Sequence, residues 1–327
     1  MQPLHTPVLL EECLDLLSPE GESFERDAFM IDSTLGEGGH TEAFLGRYGN
    51  LRICGVDADG AIQSRARERL ARFEGRVEFF NGWFDEFYAN YPAALPRPNL
   101  ILFDLGISIF HYELSGRGFS LRSEEPLDMR LDGSKKTSAA DIVNGYDEGR
   151  LADLIFSYGE EKFSRRIARA ICERRALKKF ETSAELAEFI YGVVPQNARY
   201  GKIHPATRTF QALRIAVNEE LSRLPRALFD AFNVLEKGGK MGVITFHSLE
   251  DRIVKKIFRN LGKECVCPPN VASCVCGGKP CAEILTRKAV APGDDEIKRN
   301  PPSRSAKLRV VRKIMDAGKI RLDGVGL

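Results

Sequence analysis

At 327 residues, with 43% hydrophobic and 29% charged positions, the chain has the material for one large soluble domain, or one domain plus an insert. Its N-terminus lacks a basic segment leading into an apolar core, and no apolar run approaches the ~18 residues of a membrane span. A secreted or membrane-spanning protein is thereby not expected, and a cytoplasmic one is. The net charge of +2 conceals an asymmetry, because residues 150–214 carry 13 Lys and Arg against 7 Asp and Glu. That excess suits a surface facing a polyanion, or ordinary solvated helix faces.

Phe29–Asp32 reads as a short apolar strand running into Asp32-Ser33-Thr34-Leu35-Gly36-Glu37-Gly38-Gly39-His40-Thr41, followed by a helical segment from Thr41 to Leu45. The next strand, Leu51 to Val56, ends in Asp57. Glycines at a strand-to-helix turn let backbone approach a ligand, and an acid roughly 20 positions on can accept ribose hydroxyls. The spacing Gly36-Glu37-Gly38-Gly39 is nevertheless not the dinucleotide pattern, and Glu37 would repel a pyrophosphate. A ligand carrying an ammonium and a carboxylate fits better, which points to S-adenosylmethionine; taken alone, the loop could equally be a tight turn.

A helix follows from Gly60 to about Phe73, with Ile62, Ala66 and Leu70 on one face, then a short strand at Val77–Phe80. Leu100-Ile101-Leu102-Phe103-Asp104 has the uninterrupted apolar character of a central parallel strand. From there the chain is loop-like to about Lys136, then helical over Ala139–Val143, Glu148–Tyr158, Lys162–Leu177 and Ser183–Val193, with a return loop at Tyr200-Gly201-Lys202-Ile203-His204-Pro205. A helix from about Thr207 to Leu235, the stop signal Gly238-Gly239, a strand at Lys240–Phe246 and a last strand at Lys307–Val311 complete the order. Alternating strands and helices predict an α/β, doubly wound sheet with ligands at the carboxyl ends of its strands. Residues 1–111 and 211–327 would form that discontinuous domain, and 112–210 a helical insert for substrate recognition.

Candidate chemistry collects at strand ends. Asp104-Leu105-Gly106-Ile107-Ser108 can be a plain turn, yet Asp104, Asp57 and the glycine loop would share one crevice. After the Lys240 strand, Ser248 and Asp251 have the spacing of a capping box, with His247 just ahead of it, a structural histidine or, as its strand-end place favours, a substrate contact. Arg208, Gln211, Arg214 and Asn218 recur at intervals of three and four, which makes a polar stripe that is either solvated surface or the lining of an RNA groove. Phe246, Phe119 and Trp83 are candidates for an aromatic wall. Of the eight cysteines, Cys265, Cys267, Cys274, Cys276 and Cys281 cluster late. Their C-x-C…C-x-C pattern departs from the C-x-x-C of common zinc ribbons, so the expectation is a cysteine-rich loop and no metal.

These motifs in this order resemble the bacterial small-subunit ribosomal RNA cytosine-N4 methyltransferases, the MraW-type (RsmH) family. The resemblance covers nearly the whole chain, through His5-Thr6-Pro7-Val8-Leu9-Leu10-Glu11-Glu12, the glycine loop to His40, Gly55-Val56-Asp57 and Asp104 to Ser108. It continues through Arg117-Gly118-Phe119-Ser120, Pro126-Leu127-Asp128-Met129-Arg130, His204-Pro205-Ala206-Thr207-Arg208, Phe246 to Asp251 and Ser303-Arg304-Ser305-Ala306-Lys307-Leu308-Arg309. It implies a class I S-adenosylmethionine-dependent methyltransferase fold whose helical insert helps hold RNA. The implied substrate is a decoding-region cytosine of 16S ribosomal RNA within the small subunit, methylated on its exocyclic nitrogen. Cofactor contacts fall by motif on Gly38, Gly39, His40, Asp57, Phe84 and Asp104. RNA contacts are expected at Arg208, Arg214 and His247. No membrane is implied, and a homodimer is left open.

The sequence departs from the family at Ser108, Ile109, Phe110 and His111, where Ser-Ser-Pro-Gln is usual; a glutamine contact to the cofactor would fall to His111. Imidazole cannot donate and accept at once as an amide does. In the implied mechanism Asp104 accepts hydrogen bonds from the cytosine amino group, assisted by Ser108 or a carbonyl near Leu105, and the base is splayed out of its stack. No cysteine lies near the strand-end motifs, so covalent attack on the ring is not supported. The rival readings are a methyltransferase for an amine in DNA or protein, and a non-catalytic assembly protein.

Overall fold

The computed structural model describes residues 6–19, 28–201, 203–267, 273–274, 276 and 278–318. His5 and Lys202, members of two sequence motifs, lie outside the described residues. By internal contacts the chain divides into Met1–Gly106 with Leu221–Leu327, hereafter the sheet unit, and Ile107–Glu220, the helical unit.

The sheet unit opens with α1 (Leu10–Leu16) and alternates β1 (Phe29–Asp32), α2 (Gly39–Arg47), β2 (Arg52–Asp57), α3 (Gly60–Leu70), β3 (Val77–Asn81), α4 (Phe84–Ala89) and β4 (Leu100–Asp104). After the helical unit come β5 (Lys240–Thr245), helix Ser248–Gly262, β6 (Ala282–Ile284), helix Asp294–Arg299 and β7 (Lys307–Lys313). The sheet has the order β3-β2-β1-β4-β5-β7-β6, with β1 to β5 parallel and β7 antiparallel to both neighbours. Strand order reverses between β1 and β4, which puts the ligand crevice of such a sheet beyond their carboxyl ends. β1 and β5 are buried along their whole lengths, because a parallel sheet is covered on both faces. Met30, Ile53, Leu102 and Ile244 join Cys13, Phe44, Ala66 and Leu70 in one core. The neighbouring Phe103, of opposite pleat, meets the rings of Phe84 and Tyr88 at 5.6 and 5.8 Å.

The helical unit holds α5 (Ile109–Glu113), α6 (Ala139–Gly145), α7 (Glu148–Gly159), α8 (Ser164–Arg175), α9 (Ser183–Val193), α10 (Gln196–Arg199) and α11 (Thr207–Asn218). Ile142, Leu151, Ile155, Ile167, Ile171, Leu186, Ile190 and Leu213 form its own apolar core. Helices α7 and α11 approach closely at Gly159, where a Cβ would come within 2.5 Å of the Arg208 carbonyl oxygen.

Two features differ from the sequence reading. The expected helix from Thr207 to Leu235 is two helices, because Glu219 takes a left-handed conformation (φ 56°) that ends α11 and starts α12 (Glu220–Val234). The remaining helices are accordingly α13 (Ser248–Gly262) and α14 (Asp294–Arg299). The terminal strand runs on to Lys313 and is flanked by β6, three residues too few to announce themselves by alternation.

Candidate active site

The glycine loop is held from three sides. Asp32, 1% exposed at the end of β1, accepts a hydrogen bond from Thr41 Oγ1 at 2.7 Å and a longer one from the Thr34 amide at 3.4 Å. Burial still drives its carboxyl up to about 6. Asp57, at the end of β2, accepts from the Gly36 amide through Oδ2 at 2.8 Å and from the Asp59 amide through Oδ1 at 2.9 Å. Gly38 has φ +78°, and a Cβ there would stand 2.9 Å from Leu70; one at Gly39 would stand 2.6 Å from Pro7. Only glycine lets the loop turn and start α2 against these neighbours. Glu37, whose charge argues against a pyrophosphate, is buried and paired with Arg65 at 2.8 Å, so that argument weakens and the glycine spacing carries the distinction.

The loop is also stitched to β4. The Ser33 amide donates to the Leu102 carbonyl at 2.8 Å, and the Asp104 amide donates to Thr34 Oγ1 at 2.6 Å. His40 lies between the N-terminal segment and this strand end, with Nε2 3.0 Å from the Val8 carbonyl oxygen and Nδ1 3.6 Å from Asp104 Oδ2. Asp104 Oδ1 is buried and has no hydrogen-bond partner among the described residues. Desolvation, then the charges of Asp32 and Glu250, push this carboxyl well above its ordinary range.

Gly38, Gly39, His40, Asp57 and Asp104 thus belong to one connected strand-end structure, and the Phe84 ring packs on Phe103 immediately before Asp104. The donor set fits S-adenosylmethionine. Amides at the start of α2 suit a carboxylate, Asp57 a ribose diol, and the unpartnered Asp104 oxygen an ammonium or amine donor. Asp32 and Thr34, which position the loop and strand end, are absent from the motif-based site. Asp32 carries the signal that marks Asp57 and Asp104, an acid closing an apolar strand.

The remaining candidates have structural partners. Ser108 caps α5, its Oγ accepting from the Phe110 amide at 3.2 Å. His111 is buried in the helical unit, edge-on to Phe119 at 5.5 Å. Arg208 is exposed and donates to the Glu160 carbonyl at 3.2 Å, while Gln211 donates to the Tyr158 carbonyl at 3.0 Å. Arg214 forms a two-pronged pair with Glu220, both bonds 2.9 Å, and Asn218 is fully buried against the Met129 carbonyl. The capping box is displaced by one residue from the sequence expectation. His247 itself is the N-cap of α13, accepting from the Glu250 amide, and Glu250 accepts from the His247 amide. Asp251 instead pairs with Arg309 at 2.7 Å, a partner 58 residues away that local spacing could not reveal. Trp83 is buried under the Arg223 guanidinium, and Phe119 is buried in the helical core. Phe246 is half-buried, and a Cβ at Gly106 (φ +107°) would come within 3.3 Å of its ring.

The model of the MraW methylase family matches residues 2–314. A Treponema denticola protein named ribosomal RNA small subunit methyltransferase H is 63% identical, over 96% of this chain and 98% of its own. Proteins of that name from Treponema pallidum and Borreliella burgdorferi are 45% and 48% identical, over 94% and 95% of this chain and 92% and 98% of theirs. A loop-and-acid site on a class I methyltransferase sheet, matched along almost its whole length, places this chain in the MraW methylase family.

Proposed function

We propose that the protein transfers a methyl group from S-adenosylmethionine to the exocyclic N4 of a decoding-region cytosine in 16S ribosomal RNA. The observation that carries this reading is the buried, unpartnered oxygen of Asp104, tied through Thr34 to the glycine loop, in a chain so similar to named small-subunit methyltransferases. The cofactor supplies an electrophilic methyl sulfonium. Gly38, Gly39 and His40 would hold its amino-acid end, Asp57 its ribose and Phe84 its base.

The amino nitrogen of cytosine is a poor nucleophile because its lone pair is delocalised into the ring. Asp104 accepts a hydrogen bond from that amino group, and the contact strengthens as positive charge develops on nitrogen. Its raised proton affinity makes it a stronger base than an exposed aspartate, fitted to take the proton that leaves with methylation. The Thr34 hydroxyl, fixed on the Asp104 amide, holds loop and base in one register. Ser108, the assisting hydroxyl of the sequence reading, caps α5 within the helical unit.

The reading places the enzyme in the cytoplasm, acting on the small ribosomal subunit; among the described residues no helix is long and apolar enough to cross a membrane. Arg208 is its primary RNA contact in the helical unit, where Arg214 is held by Glu220, while His247 caps α13 in the sheet unit.

The test is transfer of radiolabelled methyl from S-adenosylmethionine to purified small subunits and to naked ribosomal RNA, followed by nucleoside analysis. N4-methylcytidine is expected. Label in DNA or protein alone would redirect the reading to another amine, and failure to bind the cofactor would favour an assembly protein.

A further inference from the structure

The five late cysteines do not share one environment. Cys281 is buried, its amide donating to the Leu261 carbonyl at 2.8 Å and its thiol to the Asp316 carbonyl at 3.5 Å. The other four turn their sulfurs toward one another. The Sγ atoms of Cys265, Cys267, Cys274 and Cys276 all lie within 4.8 Å of each other. Cys274 stands 3.8 Å from Cys265, 4.0 Å from Cys267 and 3.5 Å from Cys276, and Cys276 stands 3.6 Å from Cys265.

These separations discriminate between chemistries. A disulfide requires sulfurs about 2.05 Å apart, far closer than the 3.5–4.0 Å seen here. A single ion bonded to four sulfurs at about 2.3 Å in a tetrahedron sets the sulfurs about 3.8 Å apart. The observed spacings bracket that value. A multi-iron cluster would hold its cysteines further apart, because more than one metal atom intervenes between them.

The backbone is arranged to match. The Val266 amide donates to Cys276 Sγ at 3.3 Å, the kind of outer contact that orients a thiolate ligand. Gly278, at φ +59°, turns the chain so closely that its Cβ would stand 3.6 Å from Cys274 Sγ. Two C-x-C pairs supply four soft ligands, which select zinc over hard cations.

We propose that Cys265, Cys267, Cys274 and Cys276 bind one zinc ion as a structural, all-thiolate site. Binding converts the four thiols to thiolates and releases their protons, with no change of oxidation state. Four sulfurs close the coordination sphere, so the ion has no open position for chemistry. Its effect is to fasten the chain that leaves α13 before it enters β6 at the sheet edge. The unusual C-x-C spacing, which argues for a metal-free loop, is overruled by the convergence of the sulfurs.

The experiment is metal analysis of full-length protein purified under reducing conditions without chelators, followed by exchange of the ion for cobalt. About one zinc per chain is expected, and the cobalt form should show thiolate-to-cobalt charge transfer with the intense visible bands of a tetrahedral site. Cys274→Ser should lose most of the bound zinc, whereas Cys172→Ser, in the helical unit, should keep it. Reduced wild-type protein that contains no zinc and takes up neither zinc nor cobalt would overturn the proposal. So would stoichiometric iron, or a disulfide among the four cysteines in freshly isolated protein. Wild-type stoichiometry decides the matter even if the serine variant fails to fold.

Discussion

Asp104 in the sheet unit and Arg214 in the helical unit are both charged, both largely buried and both singled out by sequence pattern. Their surroundings differ. Arg214 meets Glu220 through two hydrogen bonds, and its neighbours Gln211 and Asn218 donate to backbone carbonyls of their own unit. Asp104 keeps one oxygen buried without a partner, and its neighbour Asp32 keeps a proton to about pH 6. Regularly spaced polar residues therefore mark helix packing in one unit, while buried acids of raised proton affinity, one of them with an unsatisfied oxygen, mark the site in the other. Such unsatisfied groups cost stability and are retained where a ligand completes them.

The largest test of that contrast is at Asp104. Asp104→Asn and Asp104→Ala should each lower methyl transfer by about 10²- to 10³-fold, in the range found for removal of one preorganised polar group. Cofactor binding and RNA binding should be measured alongside; near-normal transfer by both variants would take Asp104 out of the chemical step. Because its proton affinity is raised, the wild-type rate should fall on the acid side at a pH above that of an ordinary aspartate. That limb should vanish in the residual activity of Asp104→Asn.

Asp32 makes the next prediction, in stability. The folded protein holds the Asp32 proton to about pH 6, whereas the unfolded chain releases it near 3.8, the ordinary value for aspartate. Stability contributed by this group is therefore greatest below about pH 4 and declines as pH rises to about 6, by up to about 3 kcal/mol. Asp32→Asn should flatten that decline in denaturant titrations. An unchanged slope would mean that other groups set it.

Arg214→Ala should destabilise the fold by about 2 kcal/mol by leaving Glu220 without its partner. Arg208→Ala should leave the melting temperature nearly unchanged and reduce the slope of log RNA affinity against log salt by about 0.7–0.9. If Arg214→Ala changed the salt slope while leaving stability intact, the contrast between packed and ligand-facing polarity would fail for α11.

The smallest effect is expected at His247. Replacement by Ala should cost about 1 kcal/mol through loss of the N-cap, and Asn should restore most of it. Loss of transfer in both variants at unchanged stability would instead give the imidazole a direct part in substrate contact.

Much of the sheet unit was legible because its signals are local. Apolar runs at Phe29, Ile53 and Leu100 each end in an acid, and these acids lie where a doubly wound sheet opens. The helices at Glu148 and Ser183 were legible through their apolar faces. What escaped depended on distant partners. Nothing near Glu219 announces a left-handed residue, since the conformation usually falls to glycine or asparagine. The Arg208–Asn218 stripe has the same period whether it meets solvent or the back of α7, and only the close approach at Gly159 distinguishes them. His247 is an uncommon cap, and the serine beside it, Ser248, is the more familiar cap residue. The cysteine spacing could not disclose that four sulfurs would meet.

The central strand pair has a consequence for how the protein is made. β4 pairs with β5 in parallel, Asp104 opposite Ile244, although residues 105–239 lie between them in the chain. During synthesis the hydrogen-bonding edge of Leu100–Asp104 must wait until the last third of the polypeptide has emerged. Long-range parallel pairing is slow, and an unpaired apolar strand invites association with other chains. The residues that form the reaction centre are thus on the sheet's late-closing parallel seam, so cellular yield of active protein should respond to elongation rate and chaperone supply more sharply than its final stability would suggest.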